Sequence, residues 1–338
     1  MKTEVLSTHT PELFQQAIHR AADLLRAGEV VVLPTETVYG LAANALEEKA
    51  VAKIFQVKGR PAHNPIIVHV AGAEMARNCV RHWPGLAEQL AQAFWPGPLT
   101  LVLTRAERIP AAVTGGGGTV GLRWPAHPFM QAVIRECGFP LAAPSANLSN
   151  QLSPTSAEHV LAQLGGTVPL IVDGGQSQVG IESTVLDLTV SPPRILRPGM
   201  VHAASLAAVC GAVAGDQLPA AGTEPLRSPG LLRKHYSPRA RLLVLQWKDD
   251  AELQHLLTRH ASLGACFIVA HTNIPTGIGV ANVSVIPHDA EAFARALYAE
   301  LHRCDGAGAE TIVVEAPPDL PAWSGIADRL KRAAAPSQ

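Results

Sequence analysis

Near the start of the chain, Leu13, Phe14, Ala17, Ile18, Ala21, Leu24 and Leu25 recur at helical spacing, which predicts one buried face of an α-helix. Thr10 supplies an N-cap, Pro11 suits the first turn and Gly28 ends the run. "VVVLP" follows as a short buried strand. Helix-like pieces ("EEKAVAKIFQV", "LAEQLAQAF", "HPFMQAVIREC") and strand-like ones ("IIVHV", "LTLVL", "PLAAP", "PLIVD", "STVLDL", "RILRPG") continue to about residue 210. The mixture predicts an α/β or α+β domain of short strands over residues 1–210. Residues 211–239, rich in Gly, Pro and Ala and without periodicity, read as a long linker. Beyond it, "RLLVLQ", "ACFIVA", "VSVIP" and "TIVVE" alternate with helix-like stretches and end in "WSGIADRLKRAAA". Residues 240–338 therefore read as a small, Rossmann-like parallel α/β domain. No internal repeat and no Walker-type or Rossmann-type glycine fingerprint is present.

Composition narrows the function. The 338 residues are 47% hydrophobic and 16% charged, a globular balance that favours two domains over one. A net charge of -1 and 4% aromatic residues argue against a protein built mainly to grip a phosphate backbone or stack bases. The five cysteines are scattered and form no C-x-x-C pair, so neither a disulfide framework nor a zinc knuckle is indicated. No apolar run approaches the length of a membrane span and no signal-peptide core opens the chain. A cytoplasmic protein is expected.

Polar chemistry sits on the punctuated segments. In "KGRPAHNP", Lys58 and Arg60 flank a glycine and precede prolines. In an extended segment, residues i and i+2 share a face, so the two cations would point at one anion. The other reading is a solvated helix end, where cations favour the C-terminal dipole. The same spacing recurs for Thr35 and Thr37, for Ser145 and Asn147, and for Thr119, Gly121 and Arg123. Each alone reads equally as turn chemistry. Thr155 with Glu158 reads as a capping box, and His69 in "IIVHV" as a core histidine. Together these are hydroxyls, amides and cations with no catalytic-triad order, no metal spacing and no reactive-cysteine context. Such a set suits chemistry at phosphorus, where positioning and charge neutralisation supply most of the catalysis.

"LPTETVYGL", "KGRPAHNPIIVHV", "WPGPLTLVL", "TVGLRWPAHP", "PLAAPSANLS" and "IESTVLDLT", in this order, resemble the YrdC-like threonylcarbamoyl-AMP synthase family. "SPGLLRKHYSP" and "ADRLKRAA" resemble its longer, two-domain form. The four-glycine run Gly115 to Gly118 is a local departure. The resemblance implies a twisted mixed sheet in the first domain. It also implies a nucleotidyltransferase that joins L-threonine, bicarbonate or carbon dioxide, and ATP into L-threonylcarbamoyl-AMP and diphosphate. That product serves the modification of tRNA adenosine 37 through a transferase complex. The implied catalytic residues are Lys58 and Arg60. The implied ATP contacts are Lys58, Arg60, Asn64, Thr119, Ser145, Asn147, Ser153, Arg197 and Tyr236. The implied threonine contacts are Thr37, His69, Arg123, Ala143 and Ser183. Mg2+ is expected to arrive with ATP, without dedicated protein ligands. Tyr236 lies in the linker, which reads as a lid over the site. A direct tRNA surface is expected to be weak or absent.

Two other readings remain open at this point. One is a carbamoyl-adenylate-forming relative, although such enzymes are longer and carry cysteine clusters that this chain lacks. The other is a non-catalytic RNA-binding or ribosome-associated module, against which the near-neutral charge speaks.

Overall fold

A computed structural model describes residues 2–215, 228–229, 235–260, 265–277 and 282–336. Most of the predicted linker, residues 216–227 and 230–234, lies outside the described residues.

The first part of the chain runs β1 (Glu4–Ser7), α1 (Pro11–Arg26), β2 (Val31–Leu33), β3 (Gly40–Asn44), α2 (Glu48–Lys58), β4 (Val68–His69) and α3 (Ala73–Arg77). It continues with α4 (Gly85–Phe94), β5 (Leu99–Thr104), β6 (Thr119–Arg123), α5 (Pro128–Cys137), β7 (Leu141–Ala142) and α6 (Ala157–Leu164). β8 (Leu170–Asp173), β9 (Thr184–Asp187), β10 (Arg194–Arg197) and α7 (Ala203–Cys210) complete it. The second part holds β11 (Arg241–Leu245), α8 (Asp250–His260), β12 (Cys266–Ala270), β13 (Asn282–Val285), α9 (Ala290–Gly306), β14 (Thr311–Glu315) and α10 (Ser324–Ala333).

Ten strands form one mixed sheet in the order β1-β8-β2-β3-β7-β4-β6-β5-β9-β10. The pairs β1–β8 and β5–β9 are parallel, whereas β2–β3 and β5–β6 are antiparallel. Side chains alternate across each strand. On β2, Val31 and Leu33 face α1 and α5, whereas Val32 joins the opposite cluster with α2, α4 and α6. The predicted first helix forms as read: Thr10 Oγ1 accepts from the Leu13 amide at 3.2 Å. Phe14 of α1 meets Phe129 of α5 edge-on, 5.2 Å apart.

The smaller sheet, β11-β14-β12-β13, is parallel throughout. Its strands also alternate: Phe267 and Val269 face α9 and α10, while Cys266 and Ile268 face α8. The α9–α10 side is not confined to this sheet. Its cluster also takes in Val38, Leu152 and Ile181 of the first part and Tyr236 of the linker. At Gly180, with φ +84°, a Cβ would lie 2.3 Å from the Ala294 carbonyl oxygen, so only glycine lets α9 approach here. The two sheets are thus joined by a packed, buried seam.

Candidate active site

The site forms where the loop after β2, the end of β4, the end of β6, the segment after β7 and the Glu182–Arg197 region converge. Its cavity of about 50 Å³ is lined by Thr35, Thr37, Arg60, His69, Arg123, Ala143, Ser145, Glu182, Ser183, Arg197, His235 and Tyr236, among others.

Thr35 and Thr37 share a face as read, their hydroxyl oxygens 2.9 Å apart. β6 ends in Arg123, paired in register with His69 on β4. The Arg123 guanidinium donates to Thr37 Oγ1 at 2.8 Å and to the Gly97 carbonyl at 3.2 Å, and pairs with Glu36 Oε1 at 2.7 Å. Burial opposes ionisation of Glu36 most strongly, but the Arg123 charge together with hydrogen bonds from the Ala126 backbone, Arg123 and its own backbone outweighs it and holds the carboxyl below its ordinary range. Burial lowers His69 to about 3, helped by the Arg123 charge, so its imidazole is neutral. His69 Nδ1 is buried without a hydrogen-bond partner and the ring lines the cavity. It therefore faces the cavity and is not enclosed in the core as its apolar run suggests.

A second group of cations faces the linker. Arg197, at the end of β10, donates through Nε to the Ser183 carbonyl and through Nη2 to Ser183 Oγ, both at 3.1 Å. Ser183 Oγ also shares a 2.8 Å hydrogen bond with Thr100 Oγ1. Arg60 donates to the carbonyls of Asn64 at 3.2 Å and Pro65 at 2.7 Å, and burial lowers it to about 10. Tyr236 is 1% exposed, has φ +62°, and sits against His235 with ring centroids 3.9 Å apart. Burial also takes His235 to about 3.

The exposed, extended corner expected at Lys58 and Arg60 does not exist. α2 continues through Lys58, Gly59 ends it in the left-handed conformation, and the two cations are only 2% and 8% exposed. The i, i+2 argument fails because it needs an extended backbone. Lys58 Nζ instead donates to the carbonyls of Ser145, at 2.6 Å, and Asn147. It clamps the Ser-x-Asn loop from behind, while Arg60 reaches the cavity. Asn147 also braces that loop, donating to the carbonyls of Leu148 and Gln151 at 2.8 Å.

Of the remaining predicted residues, Ala143 and Ser145 line the cavity. Ser153 lies behind it and donates to Glu182 Oε1 at 2.5 Å. Asn64 is fully buried, and neither polar atom of its side chain has a partner. Thr119 begins β6, opposite Thr104 and away from the Arg123 end. Gly121 leaves less room than expected, since a Cβ there would meet the Thr100 methyl at 3.1 Å. Within the glycine run, Gly115 has φ +58° and the His63 carbonyl oxygen lies 2.4 Å from where its Cβ would be. The run thus lets the Arg60–Pro65 loop pass close by. The helix cap expected of Thr155 belongs to Ser156, whose Oγ accepts from the His159 amide. Thr155 is buried and takes a 2.9 Å hydrogen bond from Gln176.

Comparison with known proteins places both parts of the chain in one family. Residues 23–199 match a family model described as "Telomere recombination", and residues 201–335 match one described as "Threonylcarbamoyl-AMP synthase, C-terminal domain". Threonylcarbamoyl-AMP synthase of Pyrococcus abyssi is 38% identical over 94% of this chain and 93% of its own length. The enzyme of the same name from Bacillus subtilis is 40% identical over 98% of this chain and 95% of its own. The chain belongs to the threonylcarbamoyl-AMP synthase family. The crystal structure of P. abyssi Sua5 complexed with L-threonine superposes with a TM-score of 0.89 at 36% identity, covering 99% of this chain and 98% of that one. The two-domain α/β architecture expected from the sequence is therefore the family's own.

Two buried carboxylates at or beside the cavity escaped the sequence reading. Glu36 stands between the two threonines, a buried carboxylate whose only signal was its place in that loop. Glu182 pairs with Arg329 of α10 at 2.7 Å and accepts from the Tyr298 hydroxyl of α9 at 3.2 Å. Nothing in local spacing links α9 and α10 to a carboxylate beside β9.

Proposed function

We propose that this chain joins L-threonine, bicarbonate (or carbon dioxide) and ATP into L-threonylcarbamoyl-AMP, releasing diphosphate. The observation that carries the reading is Arg123, a buried arginine oriented by Glu36 and Thr37 in the same cavity as Arg60 and Arg197. An oriented guanidinium suits a substrate carboxylate, which it binds bidentately. Two further buried arginines suit a triphosphate. Threonine would lie with its carboxylate at Arg123, against Thr37, neutral His69, Ala143 and Ser183.

The threonine amine adds to carbon dioxide and gives up a proton, or adds to bicarbonate with loss of water, to form N-carboxy-threonine. One oxygen of its new carboxylate attacks the α-phosphorus. The bond from that phosphorus to the bridging oxygen breaks, and the electron pair leaves with diphosphate. Arg60 and Arg197 would neutralise charge on the phosphates as it redistributes, which is worth most in a dry site. Lys58 and Asn147 would hold the loop that presents Ser145. With Pro229, His235 and Tyr236 seated, the cavity holds about 50 Å³, against roughly 300 Å³ or more for a small-molecule site. Pro229, His235 and Tyr236 would therefore shift to admit ATP and could close behind it to exclude water.

Magnesium would enter on the phosphates. Among the described residues no cluster of three His, Cys, Asp or Glu side chains is placed to hold an ion. Glu36 and Glu182 are committed to Arg123 and Arg329, which fits a metal held by phosphate and its own water. In this proposal residues 1–210 are the catalytic unit, 211–239 the lid and 240–338 the accessory α/β unit. The product would go to a transferase complex acting on tRNA adenosine 37 in the cytoplasm, with little direct tRNA binding here. No helix among the described residues is long and apolar enough to cross a membrane.

Diphosphate release by the purified chain, with each substrate omitted in turn, tests the reading. Release that needs ATP, threonine and bicarbonate together is expected. Release with carbamoyl phosphate in place of threonine and bicarbonate would point to a carbamoyl-adenylate, and none under any condition would overturn the catalytic assignment.

A further inference from the structure

Arg329 lies on α10 of the small unit, yet its side chain is wholly buried against the large one. Its Nε pairs with Glu182 Oε2 at 2.7 Å, and its Nη2 donates to the Glu182 carbonyl at 3.1 Å. Its Nη1 donates to the Pro198 carbonyl at 2.9 Å and pairs with Asp328 at 2.8 Å. Glu182 and Pro198 are the chain neighbours of Ser183 and Arg197, which hydrogen-bond each other in the cavity. One guanidinium therefore pins both backbones behind that pair. The same guanidinium carbon sits 5.3 Å from the centroid of the Tyr236 ring, within cation–π range. The free oxygen of Glu182 takes the Ser153 hydroxyl.

We propose that Arg329 is a positioning residue for the nucleotide half of the site, through which the C-terminal unit fixes the Ser183–Arg197 pair and seats Tyr236. This rests on the function proposed above. A simple buried ion pair would be weak grounds for a role in the site, because apolar replacements often do as well. Here the fork meets two carbonyls, two carboxylates and a ring. Only a planar, multi-donor cation can do that at once, and lysine cannot. The small unit is thus part of the active site and not an appendage beside it.

The test uses Arg329→Lys in the full chain, which keeps the buried charge beside Glu182, with Arg329→Met beside it. Circular dichroism and melting temperature establish that each variant is folded. ATP affinity and threonine affinity are measured separately by calorimetry, which needs no turnover, and diphosphate release gives kcat and KM. We expect folded Arg329→Lys to lose kcat/KM for ATP on the order of a hundredfold, the scale of a misplaced reacting group. ATP affinity falls with it and threonine affinity falls less, since of the threonine contacts only Ser183 adjoins a residue that Arg329 holds, whereas Arg123, Thr37 and His69 do not touch it. In a Tyr236→Ala background the further loss from Arg329→Lys is smaller than in the parent, the mark of residues acting through each other. Parental ATP affinity and kcat/KM in folded Arg329→Lys overturns the inference. So does an equal fall in ATP and threonine affinity accompanied by a lower melting temperature, which is general loosening. If the parent chain binds ATP but releases no diphosphate, the functional reading fails, and the ATP affinities of the variants still decide the role of Arg329.

Discussion

Replacing Lys58 with methionine separates two roles for the cation pair. Methionine is unbranched and apolar and fills much of the same space. It removes the ammonium that donates to the Ser145 and Asn147 carbonyls. A buried acceptor stripped of its donor costs ~1–3 kcal/mol, so the two together put ~2–6 kcal/mol at stake. Desolvation acts the other way. Burial, with Arg60 nearby, holds Lys58 well below the ordinary lysine pKa, so removing the charge returns part of that cost. A net loss of ~2–4 kcal/mol follows, which lowers the melting temperature by ~4–16 °C at ~2–4 °C per kcal/mol for a chain of this order of size. Diphosphate release should fall about a hundredfold, because the loop presenting Ser145 drifts from its register. Thermal unfolding and diphosphate release measured on one preparation decide the matter. An unchanged melting temperature with lost activity refutes the clamp and makes Lys58 a direct phosphate contact. Full activity would remove Lys58 from the site altogether.

Arg123→Lys should weaken threonine binding much more than ATP binding in calorimetric titrations, because lysine keeps the charge and loses the fork; equal losses would reject the carboxylate clamp. Serine should be a poor substrate and not a non-substrate in the diphosphate assay, since one methyl in a pocket is worth only ~1–3 kcal/mol. Glu36 has a folded pKa below its usual value of 4.5, so its contribution is complete above the unfolded pKa and lost as pH falls through the folded one. Glu36→Gln should therefore be less stable at pH 7 and lose less between neutral and acid pH, read as urea midpoints across that range. His69 and His235, both lowered to about 3, stay neutral above pH 5, and NMR titration of their ring protons should show no inflection near 6.5.

What the sequence determined by itself was whatever local spacing encodes. The α1 face, its Thr10 cap, and apolar runs such as those of β5 and β14 appear as read, because periodicity and capping depend on near neighbours. The ordered motifs likewise pointed to Thr37, Arg60, Arg123, Ser145, Ser183, Arg197 and Tyr236, all of which line one cavity. β1 and β3 gave no such signal. β1 is a half-exposed edge strand, and β3 is built of Gly, Leu, Ala, Ala and Asn. Lys58 was misplaced because both sequence readings, an extended corner and a solvated helix end, left it exposed. The fold instead packs the end of α2 against the Ser145–Asn147 loop, where the ammonium meets the Ser145 and Asn147 carbonyls. Glu182 and Arg329 stand 147 positions apart, and each alone reads as a solvated charge. Only packing α10 against the Glu182–Pro198 segment brings them together. Spacing specifies which side of an element is buried, and tertiary structure alone specifies what it is buried against.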